Sequence, residues 1–201
     1  MNDFEFLSDL YEELYLWFAS KTPGEHTTKG YFKNTDKTVW DKIINKIKEL
    51  ESKSYLDDVE KEFLNCKYIG ESYRVIRYNE RRKGHVYLLD CYQSCSKTIS
   101  GIDNVKLHGD VILIELFSSK QSYSIDLFKI LEFMIKHRLI LYKDEFDINY
   151  RNVLSLENYY EEEEVLVKIN EENIRNVYIY NSQSKICKEL DRNKWFRSNM
   201  Q

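Results

Sequence analysis

Hydrophobic residues recur at two different periods along this chain, and the change of period divides it. Phe4, Leu7, Leu10, Tyr11, Leu14 and Phe18 stand three or four residues apart, which predicts one apolar stripe of a helix over about residues 3 to 19. Thr22, Pro23 and Gly24 stop it, and the polar stretch through Asn34 reads as a loop. Trp40, Ile43, Ile44, Ile47 and Leu50 predict a second helix over residues 38 to 52, with Thr35 or Asp36 to cap it. A third, shorter helix is expected over residues 56 to 64.

After Cys66 the period falls to two. Residues 72 to 78 alternate, and residues 85 to 92 and 110 to 117 are rich in Val, Ile, Leu and Tyr, so three strands are expected. A helix with a broad apolar face follows over residues 125 to 139, then strands over about residues 160 to 169 and residues 176 to 180, and a short polar tail. Helices segregate from strands and crossover helices are too few for a parallel sheet, so the fold class is α+β. The expected organisation is an N-terminal helical segment, residues 1–66, and a core, residues 67–201, as one compact unit.

Composition narrows the function classes. With 14% aromatic residues, one proline and six glycines, the chain is neither disordered nor a loop-rich scaffold. Thirty basic residues against 34 acidic ones leave a net charge of -4, without the global basic footprint of a dedicated nucleic-acid-binding module. The four cysteines form no CxxC pair, which argues against a disulfide framework or zinc ribbon. His85, Cys91, Cys95 and His108 do not have metal-ligand spacing, and no metal is expected. The acidic N-terminus lacks the pattern of a signal peptide and no stretch suits a spanning helix, so a cytoplasmic protein with no membrane partner is expected, compatible with action in a host or target cell after delivery. Glycine-rich nucleotide loops and a nucleophile elbow are missing from the sequence.

One segment conflicts with its own local structure. Tyr159-Tyr160 is followed by four glutamates, 161 to 164, that run straight into Val165-Leu166-Val167. Glutamate is depleted in strands, and a charge block is usually a solvated face. The two-residue period nevertheless puts Glu162 and Glu164 on one face, and paired carboxylates beside an apolar cleft suit stabilising a cation or taking a proton. Upstream stand an aromatic-arginine strand, Tyr73-Arg74, and a Ser94-Cys95-Ser96 turn ending a later strand.

In order and spacing these pieces resemble the Arg / Ser-x-Ser / Glu-x-Glu signature of the toxin-like mono-ADP-ribosyltransferases, over about residues 68 to 170. The resemblance implies two packed, mainly antiparallel sheets forming a cleft for NAD, often preceded by helices. It implies NAD as co-substrate, with Arg74 contacting its phosphates and Tyr73 and Ser96 in the same binding set. Ser94 would orient Glu164, which would accept from the ribose hydroxyl and stabilise the oxocarbenium-like cation. Glu162 would orient or deprotonate an attacking arginine, and Tyr159 and Tyr160 would grip the acceptor. Val75 stands where the family commonly has Gly, and Cys95 where Thr is usual.

The implied activity is cleavage of the nicotinamide-ribose bond and transfer of ADP-ribose to a protein acceptor, arginine first, with a nucleic-acid acceptor as the second option. Two alternatives stay open. One is a non-catalytic interaction or inhibitor protein using the acidic strand start as a docking patch; the other is an NAD glycohydrolase on the same fold.

Overall fold

The period-two segments pair into an antiparallel sheet, and the period-four segments form the helices that accompany it. The computed structural model describes residues 3–9, 32–77, 92–103, 109–139, 163–181 and 183–199. Its helices are α1 (Glu5–Asp9), α2 (Phe32–Ser52), α3 (Asp58–Leu64), α4 (Ile99–Asp103), α5 (Leu127–Lys136) and α6 (Arg192–Asn199). Its strands are β1 (Lys67–Tyr68), β2 (Gly70–Arg77), β3 (Tyr92–Ser96), β4 (Asp110–Ser118), β5 (Ser124–Asp126), β6 (Glu164–Lys168), β7 (Ile174–Asn181) and β8 (Ile186–Glu189). The protein is thus mixed α and β with an antiparallel sheet.

The chain divides into two units, Met1–Lys67 with Leu127–Tyr159, and Tyr68–Asp126 with Tyr160–Gln201. In the first, Trp40, Ile43, Ile47 and Leu50 lie on the buried stripe of α2. Asp57 caps α3: its carboxylate accepts from the Glu60 amide at 2.8 Å, and the Glu60 side chain accepts from the Asp57 amide at 3.0 Å. This reciprocal pair starts the helix at Asp58 rather than at Leu56. Phe4, Phe63 and Phe133 pack together at centroid distances of 4.8 to 5.1 Å, joining the N-terminus, α3 and α5. At the end of α5, Lys136 and His137 both reach the Glu62 carboxylate, at 2.8 and 3.0 Å.

The eight strands form one sheet in the order β1-β5-β6-β3-β2-β4-β7-β8. Alternation along β4 gives it two buried faces. Ile112, Ile114 and Leu116 join Ile76, Cys95, Val165, Val167, Ile169, Ile174, Val177 and Trp195 in the larger core, while Val111 and Leu113 join Ile102 and Tyr180 on the other side. A bulge opposite Glu115 and Leu116 inserts Arg175 into β7, so that Ile174 and Val177 both face the larger core although they stand three positions apart. Arg175 itself turns outward over the Phe117 ring, 3.8 Å from its centroid. Between β6 and β7 the Asn170 and Asn173 side chains each accept from the other's amide at 3.0 Å, closing the turn.

Several boundaries differ from the pattern-based expectations. The second helix begins at Phe32, inside the expected loop, because polar residues such as Lys33 and Asn34 continue a helix without marking its apolar stripe. Residues 124 to 126 are a strand, not the start of the helix, since Ile125 and Asp126 pair with Leu166 and Val165. Ser94-Cys95-Ser96 lies within β3, paired along β6, rather than in a turn. The polar tail carries β8 and α6; the Asp191 carboxylate accepts from the Lys194 amide at 3.0 Å as a cap, and Trp195 is buried. The expected pair of packed sheets is a single hydrogen-bonded sheet, continuous because one register pair, Tyr73 with Ser96, joins β2 to β3. Residues 10 to 31, the rest of the first expected helix included, and the expected strand before Tyr92 lie outside the described residues.

Candidate functional site

Three strands meet where the sequence placed its candidate residues. β3 pairs with β6 in a register that sets Ser94 opposite Leu166, Cys95 opposite Val165 and Ser96 opposite Glu164. Cys95 and Val165 therefore point into the larger core, and Ser94, Ser96 and Glu164 share the opposite face. On that face the Ser94 hydroxyl donates to Glu164 Oε1, across 70 positions of sequence. Glu164 is 8% exposed. A carboxylate so deeply placed is costly unless hydrogen-bonded, and the serine supplies one of those bonds.

Arg74 approaches from the other side of β2. Beyond the Tyr73–Ser96 pair, no further register partner joins β2 to β3 among the described residues, and the Arg74 guanidinium donates through Nη1 to the Ser94 carbonyl at 2.7 Å. A side chain thus holds the backbone of the serine that holds Glu164. Arg74 Nε is buried and has no hydrogen-bond partner among the described residues. Cys95 lies beside this guanidinium; burial pushes its thiol up to about 12, Arg74 pulls it down and Glu164 raises it further.

Tyr73 is half-buried, and its hydroxyl donates to Glu71 Oε2 at 3.3 Å. Desolvation, then the charges of Glu71 and Glu115, raise its phenol. Across the sheet the register makes a polar row on one face: Asn176, Glu115, Tyr73, Ser96 and Glu164. Within it Glu115 Oε2 accepts from Asn176 Nδ2 at 2.9 Å and from the Tyr178 hydroxyl at 3.0 Å. Burial first, and then the bond to Glu115, push Tyr178 up to about 12.

No family model, curated protein or solved structure matches this chain. The site therefore rests on its own chemistry. The Ser94 hydroxyl meets Glu164 and the Ser94 carbonyl meets Arg74, while Tyr73 and Ser96 lie in the same row as Glu164. Glu162, Tyr159 and Tyr160 lie outside the described residues, as do His85, Cys91 and His108. No described helix is long and apolar enough to cross a membrane.

The sequence pattern does not single out Lys97, Thr98 or Asp126, which frame the end of β3. Lys97 Nζ sits 2.6 Å from Asp126 Oδ2, and Asp126 is buried. The Ser96 hydroxyl donates to the Thr98 carbonyl at 2.8 Å, and Thr98 Oγ1 accepts from the Gly101 amide at 3.1 Å as the cap of α4. A threonine three residues ahead of Gly101, before Ile99, is the capping signal that would have found it.

Proposed function

We propose that this chain is a mono-ADP-ribosyltransferase that cleaves the nicotinamide-ribose bond of NAD and transfers ADP-ribose to a protein, at arginine. The observation that carries the reading is the Ser94–Glu164 hydrogen bond, with Arg74 anchored to the carbonyl of that same serine. These are the three positions at which the family resemblance requires an arginine, a serine and a glutamate.

In this reading NAD is a substrate lying over the face that Ser94, Ser96 and Glu164 share. The C1′–N bond breaks with its electron pair leaving on nicotinamide, and positive charge develops on the ribose. Glu164, oriented by Ser94, accepts from a ribose hydroxyl and stabilises that charge electrostatically. A guanidine nitrogen of the acceptor then bonds to C1′ and loses a proton, which Glu162 takes. Arginine holds its proton tightly in water, so a second carboxylate is chemically useful. Arg74 supports the serine strand through the Ser94 carbonyl from the larger-core face, and in this reading that support, rather than a phosphate contact, is its role.

Incubation with NAD labelled in the adenylate portion and a cell lysate tests the assignment. Transfer gives a labelled macromolecule, hydrolysis gives free ADP-ribose, and Glu164→Gln should remove either product. Label that survives this substitution, or a wild-type protein that neither binds nor consumes NAD, overturns the reading and leaves the docking role of the acidic strand start.

A further inference from the structure

Glu163, the residue immediately before Glu164, has φ of +46°. This is left-handed backbone, which non-glycine residues adopt rarely and which persists where surrounding contacts fix it. Two contacts do so here. The Glu163 carbonyl accepts from the Lys97 amide at 3.0 Å, and Glu163 Oε2 accepts from the Thr98 hydroxyl at 2.5 Å.

Thr98 is placed to make this bond by its own surroundings. A hydroxyl has one proton and two acceptor positions. With the proton on Glu163, its lone pairs take the Gly101 amide at 3.1 Å and the Ser100 hydroxyl at 2.9 Å. The Thr98 amide and carbonyl are both tied to the Ser96 hydroxyl, and Lys97 is pinned to the buried Asp126 carboxylate. The segment just after the Ser-x-Ser pair is thereby fixed to the residue just before Glu164. The backbone at Glu163 sets the direction in which the chain enters β6, and with it the direction of the Glu164 side chain toward Ser94.

We propose that Thr98 and Glu163 are positioning residues: their hydrogen bond holds the left-handed turn that aims Glu164. The consequence for catalysis rests on the transferase reading above; the clamp itself does not. Threonine 98 also caps α4, and two substitutions separate the roles. Thr98→Asn caps a helix and keeps an N–H donor for Glu163. Thr98→Asp caps equally well but offers a carboxylate to a carboxylate.

Steady-state NAD turnover and residue-resolved amide exchange on the full chain give the test. Thr98→Asp should lower kcat about tenfold with KM for NAD within about twofold of wild type, and Thr98→Asn should stay near wild type. Exchange at the Lys97 amide should quicken in Thr98→Asp and not in Thr98→Asn. Equal kcat in the two variants overturns the catalytic role, and unchanged Lys97 exchange in Thr98→Asp overturns the clamp. If the wild type consumes no NAD, the transferase reading fails, and the exchange measurement still decides the clamp.

Discussion

Tyr73 opposes Ser96 at the one register position that joins β2 to β3 among the described residues. The neighbouring pairings are long by comparison: β2 runs along β4 from Gly70 to Arg77, and β3 along β6 from Tyr92 to Ser96. Two well-laddered halves thus meet at a single row, and that row carries the candidate chemistry. Where the ladder between them stops, Arg74 replaces a backbone partner with a guanidinium.

Ser94→Ala removes the hydroxyl from Glu164 and leaves a deeply placed carboxylate short of a donor. NAD turnover should fall about 10- to 100-fold, and Ser94→Thr, which keeps the donor, should recover most of it. Initial rates at saturating NAD check this.

Arg74→Met removes the donor to the Ser94 carbonyl while keeping an apolar stem. The orphaned carbonyl should lower unfolding free energy by about 1–3 kcal/mol in urea titrations. Arg74→Lys should recover only part, because a point charge lacks the planar fork.

Phe133→Ala empties the centre of the cluster it forms with Phe4 and Phe63. A loss of about 3–5 kcal/mol in stability is expected, read from the urea midpoint.

The Glu62 carboxyl is held below its ordinary range, first by the Lys136 ammonium, against the opposing effect of burial, and then by His137. A depressed carboxyl pKa stabilises the fold above the unfolded value, about 4.3, and that contribution disappears as pH falls through the lower folded value. The acid limb of stability against pH should therefore be shallower in Glu62→Gln than in wild type, which denaturation midpoints from about pH 5 to pH 3 will show.

Thiol labelling should separate the cysteines. Cys187 is exposed, whereas Cys66 and Cys95 are buried, and burial is the main cause that pushes Cys95 up to about 12. At about pH 8 the thiolate fraction of Cys95 is on the order of 10⁻⁴. Peptide mapping after brief maleimide treatment should find Cys187 modified, and Cys95 only after denaturant is added.

Period and burial agreed wherever an element had a clear apolar face. The stripe of α2, the alternation of β2 and the apolar run of β4 were legible for that reason. Elements that owe their form to a partner were not: Ser124 to Asp126 form a strand because β1 and β6 lie alongside, and β8 is four exposed residues with no apolar period. The site divided in the same way. Arginine, serine and glutamate were visible as residue types in an unusual order, and the glutamate run stood out because a strand gains nothing from it. Thr98 and Lys97 left no such mark, since a capping threonine and a surface-like lysine are ordinary until the fold sets them against Glu163 and Asp126.

The bulge in β7 also has a consequence for the length of the chain. Alternation normally forbids losing or gaining one residue within a paired strand, because every later side chain would change sides. Arg175 is the exception. Its removal would leave Ile174, Asn176 and Val177 in regular alternation, each facing as it does now, at the expense of its contacts with Phe117 and Glu71. The strand can therefore be shortened by one residue at the bulge, whereas the same deletion inside the regular ladder, at Ile179, would swap the side of every residue beyond it.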